Sequence, residues 1–275
     1  MRAFTPTTLE EALELRASHP AAVPVAGGTD LMVELNARRL RPTALLDLSR
    51  VEELRESGRD DDLMFLGAGV TFARIERELG EFPQLVEAAR SVASPQIRNR
   101  ATIGGNLATA SPAGDGIPVL AAYDADVVVA SASERRRVPL GTFLVGPKRT
   151  SLAPDELVVG VEWEPVHGPG SFGKVGRRNA MAIAVASACL QIDDAGHVRL
   201  ALGSVAPTVV RAPLAERFAE GLDWKDPATL AEFGRLAASE TRPIDDVRGS
   251  AAYRRRVVEV LARRALQAAG RANRW

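Results

Sequence analysis

The chain has 275 residues, 46% hydrophobic and 25% charged, with 35 basic side chains balancing 35 acidic ones. That length suits one large domain or two modest ones with a substantial core, and the even charge lacks the basic surplus of a nucleic-acid binder. No apolar run reaches the roughly eighteen residues of a membrane span, and the lone Cys189 excludes an intramolecular disulfide framework or a cysteine-ligated cluster carried by this chain alone.

In chain order, a helix is predicted first. Thr7-x-x-Glu10 has capping-box spacing, Leu9, Ala12 and Leu13 share a face, and Pro20 ends the run. Its acidic character, where a signal peptide has an apolar core, leads us to expect no export, and the lone Cys189 fits a reducing cytoplasm. AVPVAG (22–27) is a short β-type run stopped by Gly27-Gly28, and LMVEL after it reads as a helix or an extended turn. TALLDL (43–48) and DLMFLGAG (62–69) read as buried strands. Thr71 is placed to cap a helix bearing Phe72, Ile75 and Leu79, and Pro83 to begin another that buries Leu85, Ala88, Ala89 and Val92. IPVLAAYDADVVVAS (117–131) reads as a turn or two of helix leading into a strand at 126–131. DELVVGVEWEP (155–165) is another strand, and VHGPGSF (166–172) has the Pro and Gly of a boundary.

Beyond that boundary FGKVGRR, IAVASACLQI and VRLALGSVA read as three strands, the last two joined by DDAG (193–196) as a hairpin. The middle strand alternates Ala182, Ala184, Ala186 and Ala188 with Ile183 and Val185, a surface suited to close approach of a helix or a neighbouring chain. Helices are predicted over 212–221, 226–239 and 251–269. The basic runs ERRRV (134–138) and YRRRV (253–257) read as solvated faces of a strand end and a helix. His19, His167 and His197 are scattered without ligand spacing, so no metal site is expected on this chain.

Two stretches gather backbone freedom: VPVAGGTDL (23–31) and RNRATIGGNLATASPAGDGIP (98–118). Without Cβ atoms, Gly27-Gly28 and Gly104-Gly105 let a loop turn its N–H groups toward an anion, and Thr29, Thr102 and Asn106 add side-chain donors. Two such loops facing one another would suit a pyrophosphate. Neither has the GxxxxGK[ST] of a phosphate loop or the GxGxxG of a dinucleotide turn, so any dinucleotide is held by a different fold. Taken singly, each glycine pair is ordinary turn punctuation, Asp115 is also placed to cap a helix at 117–122, and Lys174 is also placed as an exposed strand lysine. The residues by themselves reach anion-binding loops and no further.

The segments VPVAGGTDL, ATIGGNLATASPAGDGIPVLAAYDADVVV, DELVVGVEWE and SFGKVGRRNAMAIAVASACL follow one another in one order over residues 3 to about 270. In that combination the chain closely resembles the FAD-binding medium subunit of the molybdenum hydroxylases, the xanthine dehydrogenase and carbon monoxide dehydrogenase family. The resemblance implies an α+β fold: an FAD-binding domain of the vanillyl-alcohol oxidase type over 1–167, with subdomains of about 1–55 and 56–167. A small C-terminal domain of antiparallel sheet and helices, of the carbon monoxide dehydrogenase flavoprotein type, would follow over 168–275. It implies a non-covalent FAD whose first pyrophosphate loop is Pro24, Val25, Ala26, Gly27, Gly28, Thr29, Asp30 and Leu31. Thr102, Ile103, Gly104, Gly105, Asn106 and Thr109 would form the second. Asp115, Ala93, Val158 and Lys174 would stand near the flavin.

The implied activity is that of the flavin station in an oxidoreductase. A molybdenum cofactor in a large subunit hydroxylates the substrate, two-iron two-sulfur clusters in a small subunit carry the electrons, and FAD passes them to a final acceptor. Two three-chain units are expected to pair, with exposed apolar surface around 182–190 contacting a partner. No side chain here is expected to act as a catalytic acid or base. A self-sufficient FAD-dependent oxidase and a flavin-fold scaffold without redox activity are the alternatives. The glycine loops carry no His or Cys to tether a flavin, and both loops are intact. Thr29-Asp30 departs from the His-Ser common in related subunits and sets a carboxylate beside the expected pyrophosphate. Asn179 and Ala180 have no assigned role beyond packing.

Overall fold

The computed structural model describes residues 1–60 and 62–272. The chain runs β1 (Arg2–Phe4), α1 (Leu9–Ser18), β2 (Val23–Val25), α2 (Leu31–Asn36), β3 (Ala44–Asp47), β4 (Ser57–Asp60), β5 (Leu63–Gly67), α3 (Phe72–Glu78) and α4 (Pro83–Ser91). Then come α5 (Pro95–Arg98), α6 (Ile103–Thr109), α7 (Gly116–Ala122), β6 (Asp126–Ala130), β7 (Arg135–Pro139), α8 (Leu140–Phe143), β8 (Leu144–Gly146), β9 (Arg149–Thr150) and β10 (Leu157–Trp163). The last third is β11 (Gly170–Val175), β12 (Ala186–Ile192), β13 (Val198–Gly203), β14 (Val210–Arg211), α9 (Pro213–Ala219), α10 (Pro227–Ser239) and α11 (Ala251–Ala272). Among the described residues no helix is long and apolar enough to cross a membrane.

The chain folds into two compact units, each built from three separate stretches. The first takes Met1–Ile75, Ser94–Ala110 and Ala125–Glu164. It holds a parallel sheet in the order β1-β3-β2 and an antiparallel sheet in the order β4-β5-β10-β6-β7. Strand β10 is central and buried at every position, which is why its sequence is a continuous apolar run broken only by Gly160 and Glu162. The glycine is required: a Cβ there would lie 2.5 Å from the Phe65 ring. The register with β6 shifts between Val158 and Gly160, a bulge.

The second unit takes Glu76–Ala93, Ser111–Asp124 and Pro165–Trp275. Its antiparallel sheet, β11-β12-β13-β14, carries helices on both faces. Ala186, Ala188, Leu190 and Ile192 of β12 join Val198, Leu200 and Leu202 of β13 in one core with Phe233 of α10 and Val258, Ala262 and Leu266 of α11. The small alanines let α11 lie close, as their alternation predicts. On the opposite face Ser187 and Cys189 turn toward α7: a Cβ at Gly203 would meet both the Ser187 hydroxyl and Pro118 of that helix. Burial pushes the Cys189 thiol well above its ordinary pKa, so it stays protonated.

Four sequence expectations need correcting. The first helix is capped one residue later than its spacing suggests: Thr8 Oγ1 accepts from Glu11 N–H at 3.2 Å and Thr7 N–H donates to Glu11 at 2.9 Å. The glycine stretch at 103–109 is helix α6, not open loop. The basic run at 253–257 is not uniformly solvated, because Arg254 is 2% exposed and donates to the Val185 and Ser204 carbonyls at 2.6 and 2.9 Å and to Asp246 at 2.6 Å. Its spacing to Val257 and Val258, three and four residues on, put it on the buried face. Finally, 184–190 is buried within its own unit, which removes it as a partner surface. The large hydrophobics exposed beside it are Met181 and Ile183.

Helices α4 and α7 precede the predicted boundary at 167, yet they pack on the sheet that follows it. A chain cut there therefore strips one face of that sheet. Residues 168–275 produced alone are expected to show dye binding to exposed apolar surface and no cooperative thermal transition. Co-production with residues 1–167 should restore both. A sharp unfolding transition in the isolated fragment would refute the account.

Candidate cofactor-binding site

The first glycine pair follows β2, an edge of the parallel sheet, and leads into α2. Gly27 sits so close to the segment before α6 that a Cβ would overlap the Arg100 carbonyl and come within 3.1 Å of Ala101 Cα. Gly28 has φ of +76°, the left-handed region that favours glycine, with no close neighbour about its Cβ position. The turn ends with Met32 N–H donating to Gly28 O at 2.9 Å. Among the described residues, the backbone N–H groups of Gly27, Gly28, Thr29, Asp30 and Leu31 donate to no protein acceptor. Successive open donors of this kind suit an anion. Asp30 is exposed and its side chain caps nothing, so its carboxylate spends none of them.

The second pair is used differently. Thr102, extended at φ −110° and ψ 158°, is the N-cap of α6, and its Oγ1 accepts from Gly105 N–H at 3.0 Å. Ile103 N–H donates to Val70 O at 3.0 Å and Gly104 N–H to Ala68 O at 2.9 Å. These donors are taken, so Gly104-Gly105 is not the open nest its sequence suggests. A Cβ at Gly104 would lie 2.5 Å from that of Ala68, which makes this glycine a packing requirement. Gly105 is half-buried and a Cβ would meet only Thr102 Oγ1, at 3.1 Å, so its other side is open. Next to it Asn106 carries a buried Oδ1 without a partner. Thr109 is half-buried on the same helix, and Val158 is buried at the bulge of β10, the strand α6 packs against.

Gly27 against Arg100 thus brings the two glycine segments together inside the first unit. Open N–H groups on one, an uncrowded glycine on the other and an unsatisfied amide oxygen fit a group with phosphate oxygens and hydroxyl donors. Substitution should separate the roles. Gly27→Ala and Gly104→Ala are each expected to cost about 1–3 kcal/mol of stability by overpacking against backbone. Gly105→Ala should change the melting temperature little. A Gly105→Ala variant as unstable as Gly104→Ala would contradict this division.

Ala93, Asp115 and Lys174 lie in the second unit. Ala93 holds a left-handed φ of 35° just after α4. Lys174 Nζ is 2.5 Å from Asp115 Oδ2 and donates to Ser91 O at 2.9 Å, both side chains about nine-tenths buried. Lys174 is therefore no exposed strand lysine, and Asp115, though at the N-cap position of α7, makes no capping bond. Asp115 Oδ1 is buried and unpartnered. Burial raises the Asp115 pKa to about 6, against the pull of Lys174. A carboxyl that is more basic folded than unfolded stabilises fully below its unfolded value. That contribution is lost as pH rises through about 6. Asp115→Asn should remove this slope from unfolding free energies measured between about pH 4 and 7; an unchanged slope would assign it to another group.

Comparison with known proteins bears on these residues. Residues 1–163 match the FAD-binding domain of molybdopterin dehydrogenases, and residues 171–269 match the C-terminal domain of carbon monoxide dehydrogenase flavoproteins. The nicotinate dehydrogenase FAD-subunit of Eubacterium barkeri is 37% identical over 205 residues, covering 70% of this chain and 69% of that protein. The nicotine 6-hydroxylase medium subunit of Paenarthrobacter nicotinovorans is 32% identical over 280 residues, covering 98% and 97%. Among solved structures, quinoline 2-oxidoreductase from Pseudomonas putida 86 superposes with a TM-score of 0.94 at 28% identity, over 100% of this chain and 98% of that one. The α+β fold with a C-terminal antiparallel sheet and helices, expected from sequence, is borne out by these matches.

Proposed function

This chain belongs to the FAD-binding medium subunits of the molybdopterin dehydrogenases, the xanthine dehydrogenase and carbon monoxide dehydrogenase family, and on that premise we propose that it holds one FAD non-covalently and relays electrons through it. The observation that carries this reading is the row of open N–H groups at residues 27–31, on a turn that packs at Gly27 against the backbone leading into α6. Gly27 to Leu31 receive the pyrophosphate oxygens, and Pro24, Val25 and Ala26 lead the chain into that turn. N–H donors neutralise the phosphates without a cluster of lysines, in keeping with the zero net charge. Thr102 holds the α6 N-terminus in place, Gly105 leaves room for a phosphate, and Asn106 Oδ1 accepts from a cofactor hydroxyl. Bound FAD supplies the redox chemistry.

The wider assembly is part of the same proposal. Electrons come from two-iron two-sulfur clusters of a small partner subunit, themselves reduced at a molybdenum cofactor in a large subunit, and leave to a final acceptor. Two such three-chain units pair. The division into an FAD-binding domain at 1–167, with subdomains meeting near residue 55, and a C-terminal domain at 168–275 follows the same family reading. So does the placing of Ala93, Asp115, Val158 and Lys174 near the flavin.

The test is a visible spectrum of the full chain after FAD is added and the excess removed. Flavin absorbance at one equivalent per chain is expected. Gly105→Val should abolish it while far-ultraviolet circular dichroism stays unchanged. Full flavin retention by that variant would place the phosphates elsewhere.

A further inference from the structure

Helix α2 is the most lightly held piece of the candidate site. It buries none of its residues, and Met32 and Val33 are exposed. Yet the open N–H groups of residues 27–31 lead directly into it, so its position sets theirs. Two attachments bracket the segment. In front stands Gly27 against the Arg100 carbonyl. Behind stands an ion pair made from 114 positions away, with Lys148 Nζ donating to Glu34 Oε1 at 2.8 Å. Arg39 lies 3.8 Å from the other Glu34 oxygen, but it belongs to the same stretch of chain and fastens α2 to nothing else.

Lys148 is itself pinned. It occupies the tight connection between β8 and β9 with a left-handed φ of 57°, and its N–H donates to Ala110 O at 3.0 Å. Ala110 is the C-cap of α6. The second glycine helix is therefore gripped at both ends by the first glycine segment: its leading residues by Gly27, its trailing cap through Lys148 and Glu34. The hydrogen bond from Lys148 also holds the Glu34 carboxyl below its usual pKa, which favours its charged form.

We propose that Lys148 is a positioning residue for the anion cradle, latching α2 through Glu34 so that the N–H groups of residues 27–31 keep one orientation. This rests on the reading of that loop as the pyrophosphate site. Because the pair is partly exposed, with side chains 68% and 27% accessible, its effect is modest and sensitive to salt. Lys148 touches no phosphate in this account; it acts through Glu34.

The test compares Lys148→Glu, Glu34→Lys and the double charge swap in the full chain, by FAD titration at low and high ionic strength. Each single variant is expected to weaken FAD binding about three- to five-fold at low salt, with the difference fading at high salt and the swap recovering most of the loss. Glu34→Lys decides the matter, since it adds positive charge near the cradle. A lysine acting by direct attraction of phosphate predicts tighter binding in that variant, and a latch predicts weaker. Equal or tighter binding by Glu34→Lys, or a swap that recovers nothing, would overturn the proposal. An unmodified chain that binds no FAD would overturn the pyrophosphate reading first and this inference with it, before any variant is compared.

Discussion

The Arg100 carbonyl oxygen fills the space in which any other residue at position 27 would place its Cβ. Much of the first unit's candidate site depends on that contact. It lets the turn after β2 rest directly on the backbone leading into α6, and a second contact of the same kind, Gly104 on Ala68, seats α6 on the turn after β5. Each pair thus has one glycine that packs and one that leaves room. Gly27 and Gly104 are close-approach residues, whereas Gly28 supplies a left-handed turn and Gly105 an open face. The donors divide the same way. Those of α6 are consumed in fixing the helix, and those of the first turn meet no acceptor among the described residues.

Much of this was legible in the sequence. Apolar runs located β3, β5, β6 and β10, Thr71 and Pro83 began the helices they were expected to begin, and the DDAG turn joined β12 to β13. The two glycine pairs read alike as anion-binding loops, whereas only the first leaves its N–H groups without acceptors among the described residues. What stayed hidden was tertiary. Nothing local distinguishes Gly104 from Gly105, because the difference is the presence of Ala68 beside one of them. Thr102 reads as a donor, but its hydroxyl oxygen is turned to the helix it caps. Lys148 and Glu34 share no motif or spacing, and only the fold brings them together.

Buried charge in the second unit shows the same limit. Arg254 in a basic run read as a surface residue, as did Lys174 by its strand position alone, yet each is enclosed with its partners. Removing such groups from water costs several kcal/mol per ion, so they persist only where hydrogen bonds and an opposite charge are in place. Arg254 meets that condition by joining the ends of β12 and β13 to the loop before α11. Asp115 meets it incompletely, since Lys174 satisfies one carboxylate oxygen and the other has no partner. Burial, together with that unsatisfied oxygen, is what holds the Asp115 carboxyl above its ordinary pKa against the pull of Lys174.

The interleaving of the two units also has a consequence for synthesis. Ribosomes release chain at roughly 5–20 residues per second, so α4 emerges seconds before β11, and α7 seconds before β12 and β13, the strands they pack against. During that interval α7, every residue of which is buried in the finished unit, has α4 to lie against but not the sheet. The nascent protein thus carries these apolar helices without their sheet past the completion of β10. The order in which the chain is made therefore decides when that apolar surface is covered.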